Sequence, residues 1–158
     1  MEKINLPSGC ALDIGCGGGE TLRLLLKNNL INHVVGIDYS MDSVIVAKRK
    51  ISKFIKNERA DVIQGNAMSL PFSQGHFDYI LAVRTHYFWD DLQKGFTEIY
   101  RTLTQDGKML IFSEKYKIKY HMKEYQTDNS MTYLLQEIGF RNIRIENKKS
   151  IQCISAYK

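Results

Sequence analysis

Short apolar runs alternate along the chain with longer segments in which apolar residues recur every three or four positions. The short runs have the composition of buried strands, and the longer spacing is that of amphipathic helices. This pattern predicts strands at residues 10–15, 33–38, 61–65, 77–83, 108–113, 141–146 and 151–157. It predicts helices at residues 21–27, 40–56, 91–103 and 129–138. Such alternation is typical of an α/β fold with a parallel sheet and crossover helices.

Capping residues mark the ends of several predicted helices. The first helix should stop near Asn28 and Asn29, and the hydroxyl of Ser40 can cap the second. Gly139 can end the last helix in the left-handed conformation. The buried side of the second helix should carry Val44, Ala47, Ile51, Phe54 and Ile55.

The last third of the chain changes the character of the sheet. Asp106 and Gly107 predict a turn into the fifth strand, whose continuous apolar run suits a buried parallel position. The polar residues 147–150 are a short connection between the last two strands. A turn of this length joins antiparallel strands, so the sheet should finish with an antiparallel hairpin.

The size and composition of the chain indicate one globular unit. The 158 residues are 44% hydrophobic, which is enough to bury a core without disulfides or metals. The chain has three cysteines, Cys10, Cys16 and Cys153, which lack the spacing of a zinc site, so we expect no metal. Because their number is odd, they fit a protein of the reducing cytoplasm better than a disulfide-bonded one. We predict a single domain over residues 1–158 with a shortened N-terminal segment.

Charge and hydropathy limit the partners that we expect. The net charge is +5, and residues 114–158 carry much of it, but cations and acids are interspersed there. A solvated surface is therefore favoured over a nucleic-acid interface. No apolar run approaches the roughly 20 residues that span a bilayer, so we expect a cytoplasmic protein without a membrane partner. The sequence does not indicate an oligomeric state.

The first strand leads into a glycine-rich turn, Gly15-Cys16-Gly17-Gly18-Gly19. Glycines at 15, 17 and 19 allow positive φ and would let a ligand approach the backbone. Glu20 stands where the dinucleotide fingerprint requires a third glycine, so the loop does not match that motif. We therefore expect a small ligand other than a dinucleotide.

Two carboxylates near this turn suggest what the ligand carries. Asp38 ends the second strand, where it can accept hydrogen bonds from both hydroxyls of a ribose, or instead cap a helix or sit in a surface turn. Asp13 lies within an apolar strand and needs a partner, either a cationic ligand group such as an ammonium or nearby backbone N–H groups.

The order and spacing of six segments resemble the class I S-adenosylmethionine-dependent methyltransferases, and among them the small type 11 family related to quinone biosynthesis. The resemblance covers nearly the whole chain. The segments are residues 13–19, 35–40, 64–67, 70–72, 77–80 and 103–108. The family has a Rossmann-like, doubly wound, mostly parallel sheet, and its cofactor is S-adenosylmethionine.

The resemblance implies roles for individual residues. The glycine loop would hold the methionyl part of the cofactor, Asp38 the ribose, and Tyr39 and Met41 the adenine. Asn66 and Ala67 would border the exocyclic amine, although the family more often has aspartate at the position of Asn66. The implied cofactor-binding residues are Asp13, Gly15, Cys16, Gly17, Gly19, Asp38, Tyr39, Met41, Asn66, Ala67 and Val83.

The candidates for acceptor contact or acid–base work follow the fourth strand. They are Arg84, His86, Tyr87 and Trp89, and Tyr87 aligns where the family often has histidine. Trp89 and Phe88 could line an acceptor pocket or instead belong to the core. His86 could instead be a surface or structural histidine, and Arg84 could pair with Asp90 or Asp91. The reaction would depend mainly on positioning, because a well-oriented pair of reactants can gain about 7–11 kcal/mol from proximity.

We therefore expect a methyltransferase that moves a methyl group from S-adenosylmethionine to an unidentified acceptor, expected to be a small molecule. Only ten residues precede Ala11, where the apolar part of the first strand begins. Relatives usually carry a longer N-terminal segment that folds over the cofactor. That difference motivates an alternative, a non-catalytic module that binds S-adenosylmethionine or a nucleoside. An NAD-dependent oxidoreductase is a more distant alternative.

Overall fold

The computed structural model describes residues 9–27 and 31–158, and within them it contains seven strands and six α-helices. The strands are β1 (Cys10–Ile14), β2 (His33–Asp38), β3 (Ala60–Gln64), β4 (Phe77–Val83), β5 (Leu103–Glu114), β6 (Arg141–Lys148) and β7 (Ile151–Tyr157). The helices are α1 (Glu20–Lys27), α2 (Met41–Lys50), α3 (Ser52–Lys56), α4 (Leu92–Thr102), α5 (Lys115–His121) and α6 (Asp128–Ile138). A single 3-10 turn covers His86–Phe88.

All seven strands belong to one sheet with the order β3-β2-β1-β4-β5-β7-β6. The strands from β3 to β5 are parallel, and β7 is antiparallel to both β5 and β6. The predicted α/β fold with a C-terminal antiparallel hairpin is confirmed. The winding direction reverses between β1 and β4, so the carboxyl ends of these two strands border the crevice where such sheets bind ligands.

The central strand β1 is covered on both faces. Leu12 and Ile14 belong to the hydrophobic cluster that contains Phe96 of α4, whereas Ala11 belongs to the cluster that contains Leu22 of α1. Side chains alternate along a strand, so Asp13 lies on the same face as Ala11. A carboxyl group is thereby buried in an otherwise apolar layer.

Helix boundaries follow the predicted caps with one exception. Ser40 accepts a hydrogen bond from the Ser43 N–H at 3.4 Å, and Gly139 ends α6 with φ of 113°. The helix predicted over residues 40–56 is divided into α2 and α3, because the fully buried Ile51 adopts non-helical dihedral angles. The predicted end of the first helix near residues 28 and 29 lies outside the described residues.

Two further differences between the structure and the sequence prediction concern β5 and α5. The strand β5 begins at Leu103 rather than at residue 108, and its pairing with β4 shifts register between Phe77 and Tyr79. The predicted turn at Asp106 therefore lies inside the bounds of the strand, with φ of 64°. The short helix α5 was not predicted, because Ile118 is its only buried residue and leaves no helical apolar pattern.

No helix in residues 9–27 and 31–158 is long and apolar enough to cross a bilayer.

Candidate cofactor and acceptor site

The glycine-rich turn connects β1 to α1 at the carboxyl edge of the sheet. Gly15, Gly17 and Gly19 all have positive φ, at 70°, 51° and 79°. The N–H groups of Gly15 and Cys16 both donate to the carbonyl of Ile37, at 2.8 and 3.1 Å. These bonds hold the turn against the end of β2.

The three glycines have different surroundings. A Cβ atom at Gly15 would lie 2.3 Å from Thr85 Oγ1, and one at Gly19 would lie 3.1 Å from the Cβ of Ala47. A Cβ at Gly17 would meet nothing within 4 Å. The missing Cβ at Gly15 and Gly19 makes room for Thr85 and Ala47, whereas a Cβ at Gly17 would project into open space. Contact of all three glycines with a ligand stays a prediction.

Asp38 is anchored by the backbone at the end of β2. Its Oδ2 accepts a hydrogen bond from the Gly17 N–H at 2.8 Å, and its Oδ1 accepts one from the Ser40 N–H at 2.9 Å. The side chain that caps α2 is that of Ser40, so Asp38 is not the helix cap. A carboxylate oxygen can accept more than one hydrogen bond. The anchored carboxylate can therefore still accept hydrogen bonds from a diol.

Asp13 is the least compensated polar group of the site. Its side chain is buried, and neither carboxylate oxygen has a hydrogen-bond partner among the described residues. Burial, with a smaller contribution from the charge of Asp38, raises the pKa of Asp13 to about 8. The alternative, in which backbone N–H groups donate hydrogen bonds to Asp13, is therefore wrong for the described residues. A cationic ligand group would supply the missing partner.

Cys16 lies beside these two carboxylates. Burial, followed by the charges of Asp13 and Asp38, raises the pKa of its thiol above the ordinary value. The thiol therefore stays protonated and serves as a small buried residue of the turn.

A cavity opens between the turn, the end of β2 and the segment after β4. It is lined by Ile14, Gly15, Ile37, Asp38, Tyr39, Gly65, Ala67, Thr85 and Trp89. Four residues predicted to bind the cofactor, namely Gly15, Asp38, Tyr39 and Ala67, therefore share one cavity.

The other seven predicted cofactor residues do not line this cavity. Asp13, Cys16, Gly17 and Gly19 belong to β1 and the glycine turn, and the remaining three are Met41, Asn66 and Val83. The amide oxygen of Asn66 accepts a hydrogen bond from the Met68 N–H at 2.9 Å, within a local turn. Met41 is exposed at the start of α2, and Val83 is partly buried beside β5. The structure thus places these residues around the cavity rather than in its lining.

His86 belongs to the segment that follows β4, and its side chain is directed into the protein. Its side chain is fully buried, with Nδ1 3.1 Å from Ser113 Oγ, and its ring contacts those of Trp89 and Phe96. Nε2 has no hydrogen-bond partner among the described residues. Burial lowers the pKa of His86 to about 4, so the imidazole is neutral at pH 7. This geometry favours the structural alternative for His86 over direct contact with an acceptor.

Arg84 and Tyr87 share one carboxylate, that of Glu114 at the end of β5. The Tyr87 hydroxyl donates to Glu114 Oε2 at 3.2 Å, and Arg84 Nε lies 3.9 Å from Glu114 Oε1. Among the described residues, Arg84 therefore forms its ion pair with Glu114. The sequence had left open a pairing with Asp90 or Asp91. Burial, and then the hydrogen bond to Glu114, raise the pKa of Tyr87 to about 12. The phenol is therefore a hydrogen-bond donor at neutral pH.

Sequence reasoning missed Thr85, Ser113 and Glu114. Thr85 packs on Gly15, whereas Ser113 and Glu114 hold His86 and Tyr87. The rule that ligands bind at the carboxyl ends of parallel strands also applies to β5, and it would have identified Ser113 and Glu114.

The chain is similar in sequence to known methyltransferases. The model of the family described as "Methyltransferase domain" (Methyltransf_11) matches residues 12–111. A Bacillus subtilis protein named uncharacterized methyltransferase YdaC is 31% identical over 100 residues, covering 63% of this chain and 53% of that protein. A demethylmenaquinone methyltransferase of Oceanobacillus iheyensis is 30% identical over 112 residues, covering 70% of this chain and 47% of that protein. The chain therefore spans about half the length of these curated relatives.

A solved structure extends the similarity to the whole described fold. Phosphoethanolamine N-methyltransferase 2 of Haemonchus contortus, in complex with S-adenosyl-L-methionine, superposes with a TM-score of 0.82 at 20% identity. The match covers 97% of this chain and 49% of that chain. The seven-stranded sheet is accordingly Rossmann-like. Because the family model covers residues 12–111, the chain belongs to the class I S-adenosylmethionine-dependent methyltransferases, in the type 11 family.

Proposed function

We propose that this protein transfers a methyl group from S-adenosylmethionine to a small-molecule acceptor. The observation that carries the proposal is the pair of carboxylates at the glycine turn. One of them, Asp38, is anchored and lines the cavity, and the other, Asp13, is buried without a partner. A ligand with a diol and an ammonium group satisfies both carboxylates, and the cofactor of this family has both groups.

We assign the cofactor to the residues of this cavity and turn. Asp38 would accept hydrogen bonds from the ribose hydroxyls, and Asp13 would face the ammonium of the methionyl part. The open space at Gly17 would take the methionyl chain. Tyr39 and Ala67 in the cavity lining, with Met41 and Asn66 next to it, would surround the adenine. Gly15 would contact the cofactor from the cavity lining, and Cys16, Gly19 and Val83 would support this arrangement from behind.

The acceptor would approach from the side of the segment between Arg84 and Trp89. When bound, S-adenosylmethionine supplies an electrophilic methyl group on a sulfonium. Arg84 is exposed and can orient an anionic or polar acceptor, and Tyr87 can donate a hydrogen bond when its bond to Glu114 is exchanged. His86 would act as a positioning residue, because its bond to Ser113 fixes the segment that carries Tyr87.

The proposal of a small-molecule acceptor is supported by relatives named demethylmenaquinone methyltransferase. The alternatives of a non-catalytic module and an NAD-dependent enzyme are not favoured, because the family model and the two curated relatives described above are those of methyltransferases.

Calorimetric titration with S-adenosylhomocysteine tests the proposal. The wild type should bind it and should not bind NAD. Asp38→Ala should weaken binding about 10- to 100-fold, because charge-assisted hydrogen bonds contribute roughly 1.5–3 kcal/mol. Asp61→Ala is the matched control, since it removes an exposed carboxylate from the neighbouring strand β3 outside the cavity lining. Unchanged affinity in Asp38→Ala would overturn the assignment of the ribose.

Release of S-adenosylhomocysteine from S-adenosylmethionine over a panel of small acceptors tests turnover separately. Acceptor-dependent release supports an enzyme. Tight binding without release on any acceptor would favour the non-catalytic module.

A further inference from the structure

Aromatic side chains that the chain order keeps far apart meet on the surface beside the site. Phe88 belongs to the 3-10 turn after β4, whereas Tyr116 and Tyr120 belong to α5 after β5. They are 58%, 62% and 80% exposed. Single exposed apolar residues are common on protein surfaces, whereas a contiguous group of them marks an interaction surface.

Ring contacts show that the group is continuous. The rings of Phe88 and Tyr120 lie 5.0 and 4.9 Å from that of His121. Lys117 Nζ lies 5.8 Å from the ring centre of Phe88 and 5.5 Å from that of Tyr116. We call these five residues, Phe88, Tyr116, Lys117, Tyr120 and His121, the aromatic face. Because Phe88 is distant in sequence from the others, no such surface was evident from the sequence.

The aromatic face is positively charged. The helix α5 has the sequence Lys-Tyr-Lys-Ile-Lys-Tyr-His and contains no acidic residue. Lys123 and Glu124, which follow it, offset each other in charge. The acid that precedes the helix, Glu114, is engaged by Tyr87 and lies near Arg84. A surface of this charge complements an anionic partner.

The side chains project outward rather than line a cavity. Small-ligand sites are concave and bury most of the ligand, which does not fit a tyrosine that is 80% exposed. Single-stranded nucleic acids are bound in basic grooves with stacking platforms, and α5 is a short helix on the surface. Tyrosine, phenylalanine and lysine projecting together are typical of residues at the interface of a bilayer.

We infer that the aromatic face docks on the surface of an anionic lipid bilayer. The rings would enter the headgroup region, and Lys117, which lies beside two of them, would contact the anionic headgroups. This is contact with a membrane surface and needs no membrane-spanning helix, of which residues 9–27 and 31–158 contain none. It goes beyond the proposed methyl transfer and does not depend on it.

The position of the face relative to the cavity gives the docking a consequence. Thr85 and Trp89 line the cavity, while Phe88 between them points outward. The same five-residue segment therefore contributes to both surfaces. Docking would turn the acceptor side of the cavity toward the bilayer, where an apolar acceptor is concentrated.

Sedimentation with phosphatidylcholine vesicles, prepared with and without phosphatidylglycerol, tests the inference on the full chain without any cofactor. The wild type should sediment with the anionic vesicles, more weakly as salt rises. The double variant Phe88→Ser, Tyr120→Ser should bind these vesicles at least about tenfold more weakly, because it removes the apolar surface that enters the bilayer. Lys117→Ser should bind about fivefold more weakly.

Matched controls separate these effects from general changes of surface. Tyr133→Ser removes a tyrosine on α6 that is 65% exposed, and Lys53→Ser removes an exposed lysine on α3. Both should sediment like the wild type. Thermal unfolding of every variant checks that it remains folded.

The inference is overturned if the wild type does not sediment with anionic vesicles, or if Tyr133→Ser loses as much binding as the double variant. It is also overturned if the double variant loses binding to single-stranded RNA but keeps binding to vesicles. Failure here leaves the titration with S-adenosylhomocysteine unaffected, so the two proposals fail separately.

Discussion

The donor half and the acceptor half of the site are built in different ways. The donor half, comprising Asp13, the turn at residues 15–19 and Asp38, is held by backbone hydrogen bonds at the ends of adjacent strands. The acceptor half, comprising residues 84–89 with Ser113 and Glu114, is held by contacts between side chains of separate segments. The donor half therefore depends on backbone geometry, whereas the acceptor half can change through single side chains.

The largest expected effect is in the donor half. Gly15→Ala should lower the free energy of unfolding by about 2–5 kcal/mol, because alanine is strained at this φ and its Cβ would collide with Thr85. Chemical denaturation measures this loss. A loss below that of Gly17→Ala would contradict the contact between Gly15 and Thr85.

Gly17→Ala and Gly75→Ala form a matched pair that separates stability from binding. Both positions have positive φ, and at neither would a Cβ meet anything within 4 Å. Each change should cost about 1–2 kcal/mol of stability. Only Gly17→Ala should also weaken binding of S-adenosylhomocysteine, since its Cβ enters the proposed methionyl site. Equal affinity in the two variants would argue against that placement.

Asp13 gives the donor half a pH dependence of stability. Its folded pKa of about 8 exceeds its unfolded value, so the folded state holds an extra proton and loses stability as pH rises toward 8. Between pH 6.5 and 8 the wild type should lose roughly 1–2 kcal/mol. Asp13→Asn should remove this loss, which denaturation at several pH values would detect.

His86 has the opposite effect at lower pH. Its folded pKa of about 4 lies below its unfolded value, so its contribution to stability falls as pH drops from 6.5 to 4. The contribution of Asp13 is therefore measured best above pH 6.5. A wild type whose stability rises from pH 6.5 to 8 would contradict the buried, unpartnered state of Asp13.

The smallest expected effect is in the acceptor half. Arg84 has φ of 58°, a conformation that glycine adopts without strain. Arg84→Gly should be about 1 kcal/mol more stable than Arg84→Ala, because both lose the exposed pair with Glu114 but only alanine keeps the strain. Both variants should bind S-adenosylhomocysteine like the wild type. A large loss of affinity in either would mean that the two halves are not independent.

The sequence could place the residues of the donor half close together because they are local. Asp13, the glycines and Glu20 lie within eight residues, and Asp38 ends the next strand along the chain. The parallel direction of the strands followed from the alternation of apolar runs, so the carboxyl ends could be placed at one edge. What the sequence could not separate was the function of each glycine, because the neighbours of Gly15 and Gly19 come from distant segments.

The acceptor half could not be predicted to the same extent. The carboxylate that Arg84 and Tyr87 share comes from β5, so two nearby acids, Asp90 and Asp91, were equally reasonable partners. The burial of His86 depends on the packing of Trp89 and Phe96, which periodicity does not specify. The helix α5 has too few buried residues to produce a pattern, although it carries most of the aromatic face.

A crystal structure with S-adenosylhomocysteine would show directly whether the glycine turn, Asp38 and Asp13 bind the cofactor. We expect electron density along the glycine turn, with the ribose hydroxyls within hydrogen-bond distance of Asp38 and the ammonium on the side of Asp13. Density at another edge of the sheet, or a ribose that does not contact Asp38, would contradict it.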